Sequence, residues 1–492
     1  MKRALGAGVA WMALASVLAG ACSDGDSAPV PAADGGGSSS GSSGGVDGGD
    51  GGVIAPPGCD LKVDPKDAAT CVDDTVGVFV SPSGTDGGSG KKAEPVKTLQ
   101  QALKLVSSSR PRIYVCGDET QAYVGPVALT GTSGVSIYGG FECAGWGHKG
   151  GKSKITVSGG GEVGLDLDKV QNASFQDLVV EGPAEGAPNS IAARVTESSG
   201  VSFKRVKLVA GNGQNQAKAG DGTEGAKGDN GNPAKDNTTP GPLKSCSCGG
   251  AMTTGGAGGA PTGAGQGGTP SLGGVAPTDG AQGLGATGCS TVEPNGTGND
   301  GAPAAGAKAA TKVNDLGTLD QRAWVAVAGT AGATGGPGQG GGGGGGRDGS
   351  SAGGSGGCGG CGGSGGKGGA GGGASIALLA SGSTIALDAV DAVSKKGGAG
   401  GAGGAGGGGG PGGNGGIGGC SGGEGGMGGK GGAGAGGAGG ISVGIVYKGA
   451  KPTGADGVTW TGDSGGEGGA EGETGAGNAG PKGISEKLYE VK

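Results

Sequence analysis

The chain has 492 residues, of which 139 are glycine, 23 are proline and 3% are aromatic, with a formal net charge of −7. Glycine at several times its usual share of about 7%, with so little proline, excludes collagen, and the scarcity of aromatics excludes a conventional globular core of this size. An acidic balance with scattered basic residues excludes a phosphate-binding surface, so nucleic acid is not an expected partner.

Met1-Lys2-Arg3 and the apolar run Ala4 to Ala19 have the layout of a secretory signal peptide, and the run is short of the roughly 20 residues that span a membrane. Leu18-Ala19-Gly20-Ala21-Cys22 resembles a bacterial lipobox, which predicts a signal peptide over 1–21 and lipidation at Cys22. Ala19-Gly20-Ala21 also fits an ordinary small-x-small cleavage site that would leave Cys22 a free thiol. Removing Cys22 from the 11 cysteines leaves ten, an even number suited to pairing outside the cytoplasm, which favours the lipid anchor. Asp24 stands one place beyond the position of the inner-membrane retention aspartate, so the outer membrane is the expected site, facing the cell surface or the periplasm. Residues 22–58, almost all Gly, Ser, Asp, Ala and Pro, read as a tether reaching roughly 30–35 Å.

A β-rich part is expected over 59–212. Val78-Phe79-Val80, Arg112 to Cys116 and Gly134 to Phe141 read as strands. Pro95 opens a predicted helix whose Val96, Leu99, Leu103 and Val106 share one face, placed to cap a solenoid. Leu165 to Gly182 aligns without gaps on Ala193 to Ala210 at an offset of 28 residues, matching Leu167 to Val195, Phe175 to Phe203 and Val180 to Leu208. Strands recurring at such a period predict a parallel β-helix, with a β-sandwich as the competing arrangement.

Residues 213–374 read as a glycine-rich, mostly loop-like insertion, with one strand at Ala323 to Val327 and a solvated turn at Gly228-Asp229-Asn230-Gly231. Residues 375–492 read as further rungs, because Ser375 to Leu379 and Ser442 to Val446 match at an offset of 67. Gly-Gly-x triplets run from Gly353 to Gly373 and from Gly397 to Cys420, slip at Ser421, and resume from Gly422 to Ala433. A disordered linker has no reason to hold that phase, whereas a three-per-turn extended helix does, with every x on one face and glycine on the two faces that meet neighbours.

Cys358 and Cys361 lie in one triplet run, so at about 3.1 Å per residue they sit roughly 9 Å apart and cannot bridge each other. Their partners are expected among Cys246, Cys248, Cys289 and Cys420, and pairing is expected for Cys59 with Cys71 and for Cys116 with Cys143. A zinc site is the alternative for these thiols, disfavoured by export, so no metal is expected. No catalytic group stands out either: His148 reads as a solvated loop residue, no serine lies in a G-x-S-x-G elbow, and no acidic loop has calcium-binding spacing. Arg194 and Arg205 lie near the repeat, but no acids are expected in line with them.

Val78 to Gly87, Pro95 to Leu103 and Gly134 to Phe141 together resemble the opening of pectin-lyase-like right-handed β-helices. The strand-plus-glycine blocks farther on are similar in style to glycine-rich lipoproteins of myxobacteria and, more loosely, to mycobacterial polymorphic glycine-rich repeats. The resemblance implies an all-β, right-handed parallel β-helix with an N-terminal capping helix and polyglycine-II-like or loop insertions. Lyases on this fold use clustered aspartates for calcium and a basic residue as proton acceptor, and no motif here receives those roles. The reading is therefore of a surface-displayed structural or adhesive lipoprotein without catalysis or cofactor. Its expected partners are the membrane, matrix polysaccharide and neighbouring envelope proteins, and the alternative is a polysaccharide-active enzyme on one face of the β-helix.

Overall fold

The computed structural model describes residues 53–157, 161–271, 280–285, 288–289, 296–320 and 322–492. The signal peptide, Cys22 and most of the tether lie outside them.

Three six-stranded sheets form the walls of a parallel β-helix. Sheet 1 holds Gly77–Val80, Arg112–Cys116, Ser136–Phe141, Ser174–Gln176, Val201–Lys204 and Ile385–Asp388. Sheet 2 holds Val127–Thr130, Val163–Asp168, Ser190–Thr196, Ser375–Ser381, Ser442–Lys448 and Ser485–Glu490. Sheet 3 holds Ala122–Gly125, Ser153–Val157, Leu178–Glu181, Lys207–Val209, Asp391–Ser394 and Thr459–Gly462. Each of the five complete rungs contributes one strand to each wall, so side chains stack in columns down the interior. Val78, Ile113, Ile137, Phe175, Phe203 and Leu387 form one column, and Tyr123, Ile155, Val180, Leu208, Ala392 and Trp460 another. Nearly all are buried in a single core. The 28-residue repeat is this stacking: Val195 pairs with Leu167, Phe203 with Phe175 and Leu208 with Val180.

The helix is shorter than its apolar spacing suggests, spanning Leu99–Leu105. Thr98 caps it, its Oγ1 accepting from the Gln101 N–H at 3.2 Å. Val96 lies before the cap and instead bridges Val80 in parallel. Leu99 and Ala102 close the top of the core, with Leu103 and Val106 packed at its margin.

Every long glycine excursion leaves the β-helix at one corner, where sheet 3 passes to sheet 2: after Val209, after Ser394 and after Gly462. These excursions are packed. Gly398, Gly401, Gly404, Gly407, Gly410, Gly413 and Gly416 donate their N–H to the carbonyls of Gly373, Ala370, Lys367, Ser364, Cys361, Cys358 and Ser355 in antiparallel order. The same strand accepts from Gly422, Gly425, Gly428, Gly431, Gly434, Gly437 and Gly440 on its other side. A third neighbour runs parallel to it, with Gly213, Gln216, Ala219 and Gly222 donating to Lys396, Ala399, Ala402 and Ala405. Bonds recurring every third residue toward several neighbours define a bundle of polyglycine-II helices.

This arrangement corrects the loop-like reading of 213–374. Gly228-Asp229-Asn230-Gly231 is no turn: Gly228 and Gly231 donate to Pro411 and Asn414, and Asp229 accepts from Cys358. Side chains complete the pattern where backbone does not, the Oδ1 atoms of Asn215, Asp221 and Asn230 accepting from Ala399, Ala405 and Asn414. Ala323–Ala326 pairs antiparallel with Gly317–Asp320, and this hairpin buries Leu319 and Trp324 against the outer side of sheet 2. A second hairpin joins Lys244–Cys248 to Ala251–Gly255.

Glycine is required where strands meet. A Cβ on Gly409 would overlap the carbonyl oxygen of Gly428, whereas on Gly408 it would meet only the Glu224 side chain, at 3.8 Å. Gly408→Ala is expected to be neutral or to stabilise by up to about 1 kcal/mol through the unfolded chain. Gly409→Ala forces backbone apart and is expected to cost about 1–3 kcal/mol. Thermal unfolding of both variants checks the contrast, and equal midpoints would contradict close packing.

Candidate functional site

Sheet 3 presents a polar outer face, because alternate residues of each strand point away from the core. Ala122, Lys154, Val179, Lys207, Asp391 and Thr459 stand in one register row across it. Lys154 Nζ lies 2.9 Å from Glu181 of the next rung, and Lys152 Nζ reaches Asp391 at 3.5 Å, so acids and bases of different rungs tie the face together.

Beside this face runs a groove of about 380 Å³, floored by Val157, Val209 and Ala210 and edged by Glu181, Asn212 and Lys395. A second cavity of about 380 Å³ continues it, sharing Glu185 and Asn212 and adding Gln214, Asn215 and Lys396. One wall is the short loop 182–189, and the other is where the first two glycine excursions leave the corner. Lys395 and Lys396 are exposed, and their ammonium groups form no ion pair among the described residues. An apolar floor with amides, carboxylates and unpaired cations at the rim suits a polar, anionic, extended ligand.

Two charged clusters lie elsewhere, and both follow the repeat. Arg194 sits directly over Asp166 in the parallel register, its Nε and Nη2 donating to the carboxylate at 3.0 and 2.6 Å. Arg322, at the turn of the hairpin, also contacts Asp166 and lies 3.4 Å from Asp168, while Thr196 donates to Asp168 at 2.8 Å. Arg205 lies over Asp177, with Nε and Nη2 at 2.7 and 2.8 Å from its oxygens. One acid thus stands a rung away from each arginine, Asp166 by Arg194 and Asp177 by Arg205, a pairing the sequence reading did not draw.

His148 is corrected as well. Its side chain is 12% exposed, with Nε2 3.2 Å from Asp177 and its ring edge-on to Phe141. Asp177 and Arg205 both occupy the left-handed corner of their rungs, at φ 54° each. That conformation costs a non-glycine residue of order 1 kcal/mol, and the bidentate pair offsets it. With both oxygens engaged, Asp177 acts as a clamp between rungs. Asp166 is occupied in the same way.

Asp64 reaches this corner from the N-terminal segment, 2.8 Å from Lys204 and 3.4 Å from Arg205. Burial opposes its charge, but Lys204, Gln176 and Arg205 outweigh that and hold its carboxyl below the usual range. The Asp177 hydrogen bond does most to raise Arg205 above its ordinary value.

The predicted cysteines meet in five bridges: Cys59–Cys71, Cys116–Cys143, Cys246–Cys358, Cys248–Cys361 and Cys289–Cys420. Two of them fasten the Lys244–Cys248 hairpin strand to the bundle. No cluster of three or more His, Cys, Asp or Glu that could hold a metal occurs among the described residues. The groove was not read from sequence, since its walls come together only where excursions leave the rungs.

No family model matches the chain, and no curated protein matches it. Among solved structures, a rhamnogalacturonan lyase is similar at 14% identity and a TM-score of 0.23, over 28% of this chain and 37% of its own. The pectin methylesterase PemA from Erwinia chrysanthemi is similar at 18% identity and a TM-score of 0.21, over 29% of this chain and 44% of its own. A pectin methylesterase mutant in complex with a hexasaccharide matches at 17% identity, also with a TM-score of 0.21. The matches thus span less than half the length of those proteins. These similar structures are those of a lyase and of methylesterases, and on that finding the expectation of a chain without catalysis is withdrawn.

A depressed carboxyl contributes stability that is present above its unfolded pKa, about 3.9, and lost as pH falls through its lower folded value. Replacing Asp64 by Asn removes that contribution. Denaturant titrations between about pH 5 and 2 should show a shallower acid loss in Asp64→Asn than in the parent chain. Parallel curves would mean that Asp64 is not linked to folding.

Proposed function

We propose that the chain is an exported, polysaccharide-active β-helix protein that takes an acidic glycan into the groove along sheet 3. The observation carrying this reading is the groove itself, with unpaired Lys395 and Lys396 at one rim, Asn212 and Gln214 along it, and Glu181 and Glu185 beside them. Lysine ammoniums attract uronate carboxylates, amides bond to ring hydroxyls, and a carboxylate next to a bound sugar is positioned to exchange a proton with it. Glu181 is the residue on which we place that proton exchange, with Lys154 Nζ 2.9 Å away orienting it.

The leader supports display at the envelope: lipid on Cys22 would hold the body outside the membrane, most simply on the outer one, in the manner of the glycine-rich myxobacterial lipoproteins it resembles. Acyl mass on the mature N-terminal peptide is the expected finding, and an unmodified Cys22 thiol would remove the anchor from this reading.

Incubation with a panel of acidic polysaccharides, following unsaturated products by ultraviolet absorbance and ester cleavage by methanol release, tests the activity. Product is expected from at least one. Glu181→Gln should lower turnover more than binding, and Lys395→Ala with Lys396→Ala should weaken binding by about tenfold, equivalent to about 1.4 kcal/mol. Neither product nor binding across the panel would overturn the reading.

A further inference from the structure

The far end of the glycine bundle carries a cavity unrelated to the groove. The strand Gly213 to Ala234 stays bonded to its neighbour every third residue as far as Ala234, which donates to Ile417 at 2.8 Å. At about 3.1 Å per residue, that run carries its end roughly 65 Å from where it begins. There the turns at 233–237, 347–351 and 417–419 enclose about 330 Å³.

The outward positions of the central strand are Ala399, Ala402, Ala405, Gly408, Pro411, Asn414 and Ile417. They are small along the shaft and large only at the end, where Ile417 is 73% exposed. An isoleucine is costly to leave in water and adds nothing to a strand whose neighbours need only glycine. Ile417, Pro233, Ala234 and Ala352 give the cavity its apolar side, while Asp236, Asn237, Arg347 and Ser351 give it donors and acceptors.

Charge chooses among ligands. Asp236 is fixed by the N–H and hydroxyl groups of Thr238 and Thr239, which bring its carboxyl down to about 2. Arg347 is answered by Asp348, its Nε 3.5 Å from that carboxylate. Asp236 has no ion pair among the described residues, so its charge repels uronates, while its Oδ2, which accepts a single bond, keeps a lone pair for a hydroxyl. We propose that this cavity is a second carbohydrate site, selective for neutral, hydroxyl-rich saccharide ends. The ring's C–H face rests on Ile417, and its hydroxyls bond to Asp236, Asn237 and Arg347.

The site stands on observations separate from the groove and is tested separately. The full-length chain is titrated by calorimetry with maltotriose and galactotriose as neutral probes and trigalacturonate as the acidic one. At least one neutral probe is expected to bind, about tenfold more weakly to Ile417→Ser and to Asn237→Ala. Its binding should be unchanged in the Lys395→Ala, Lys396→Ala variant, which tests the groove alone. Ile417 is exposed, so its replacement leaves folding intact, and an unchanged melting midpoint confirms that. Absence of neutral binding at millimolar concentration would overturn the proposal. So would neutral binding that survives Ile417→Ser, or trigalacturonate binding that Ile417→Ser abolishes.

Discussion

A backbone amide withdrawn from water must find a partner, and in this chain that requirement organises the whole body. Few large side chains are available to bury, so stability depends on strands close enough to exchange N–H···O=C bonds over long runs. Parallel stacking meets the requirement within the rungs. In the excursions it is met by polyglycine-II packing, where Gly398 to Gly416 alone bonds to four neighbouring segments. Neighbouring backbones then occupy the space a Cβ would need, as at Gly409, so glycine is a steric necessity at these contacts. The entropy that glycine loses on folding is the cost of that proximity, and bridges such as Cys246–Cys358 and Cys248–Cys361 reduce it by constraining the unfolded chain.

The two kinds of packing depend on each other. Ser375 and Ser442 resume sheet 2 after excursions of very different length, yet both fall into register with Ser190. The excursions can differ because they share one exit corner and close on themselves in the bundle. Sheet 2 in turn receives the Trp324 hairpin, which an excursion supplies, and Arg322 at its turn joins the Asp166 cluster. The clusters at Asp166 and Asp177 bind rung to rung at positions where polar side chains would otherwise be stranded between strands.

Function, on this view, follows from the same geometry. The corner that releases the excursions also leaves a groove between their roots and the loop 182–189. The length over which the bundle holds its phase sets how far its end stands from that groove. Charge separates the two places: among the described residues, lysines without an ion pair stand at the root and a carboxylate without one at the end.

How much was legible in the residues varied with the range of the contact. The offset that aligns Phe175 on Phe203 identified the rungs, and the unbroken triplets identified three-fold strands, because both arise from periodicity along the chain. The same offset connects Asp166 to Arg194 and Asp177 to Arg205, so those pairs were available to a stricter reading of the repeat. Arg322 on Asp166, the choice of partner for each cysteine of the bundle, the burial of His148 and the walls of the groove were not available. One Gly-Gly-x strand looks like the next, so its sequence sets its conformation but not its neighbour. Only the assembled packing, in which each backbone bond excludes its alternatives, decides which strand lies beside which, and therefore where the groove opens.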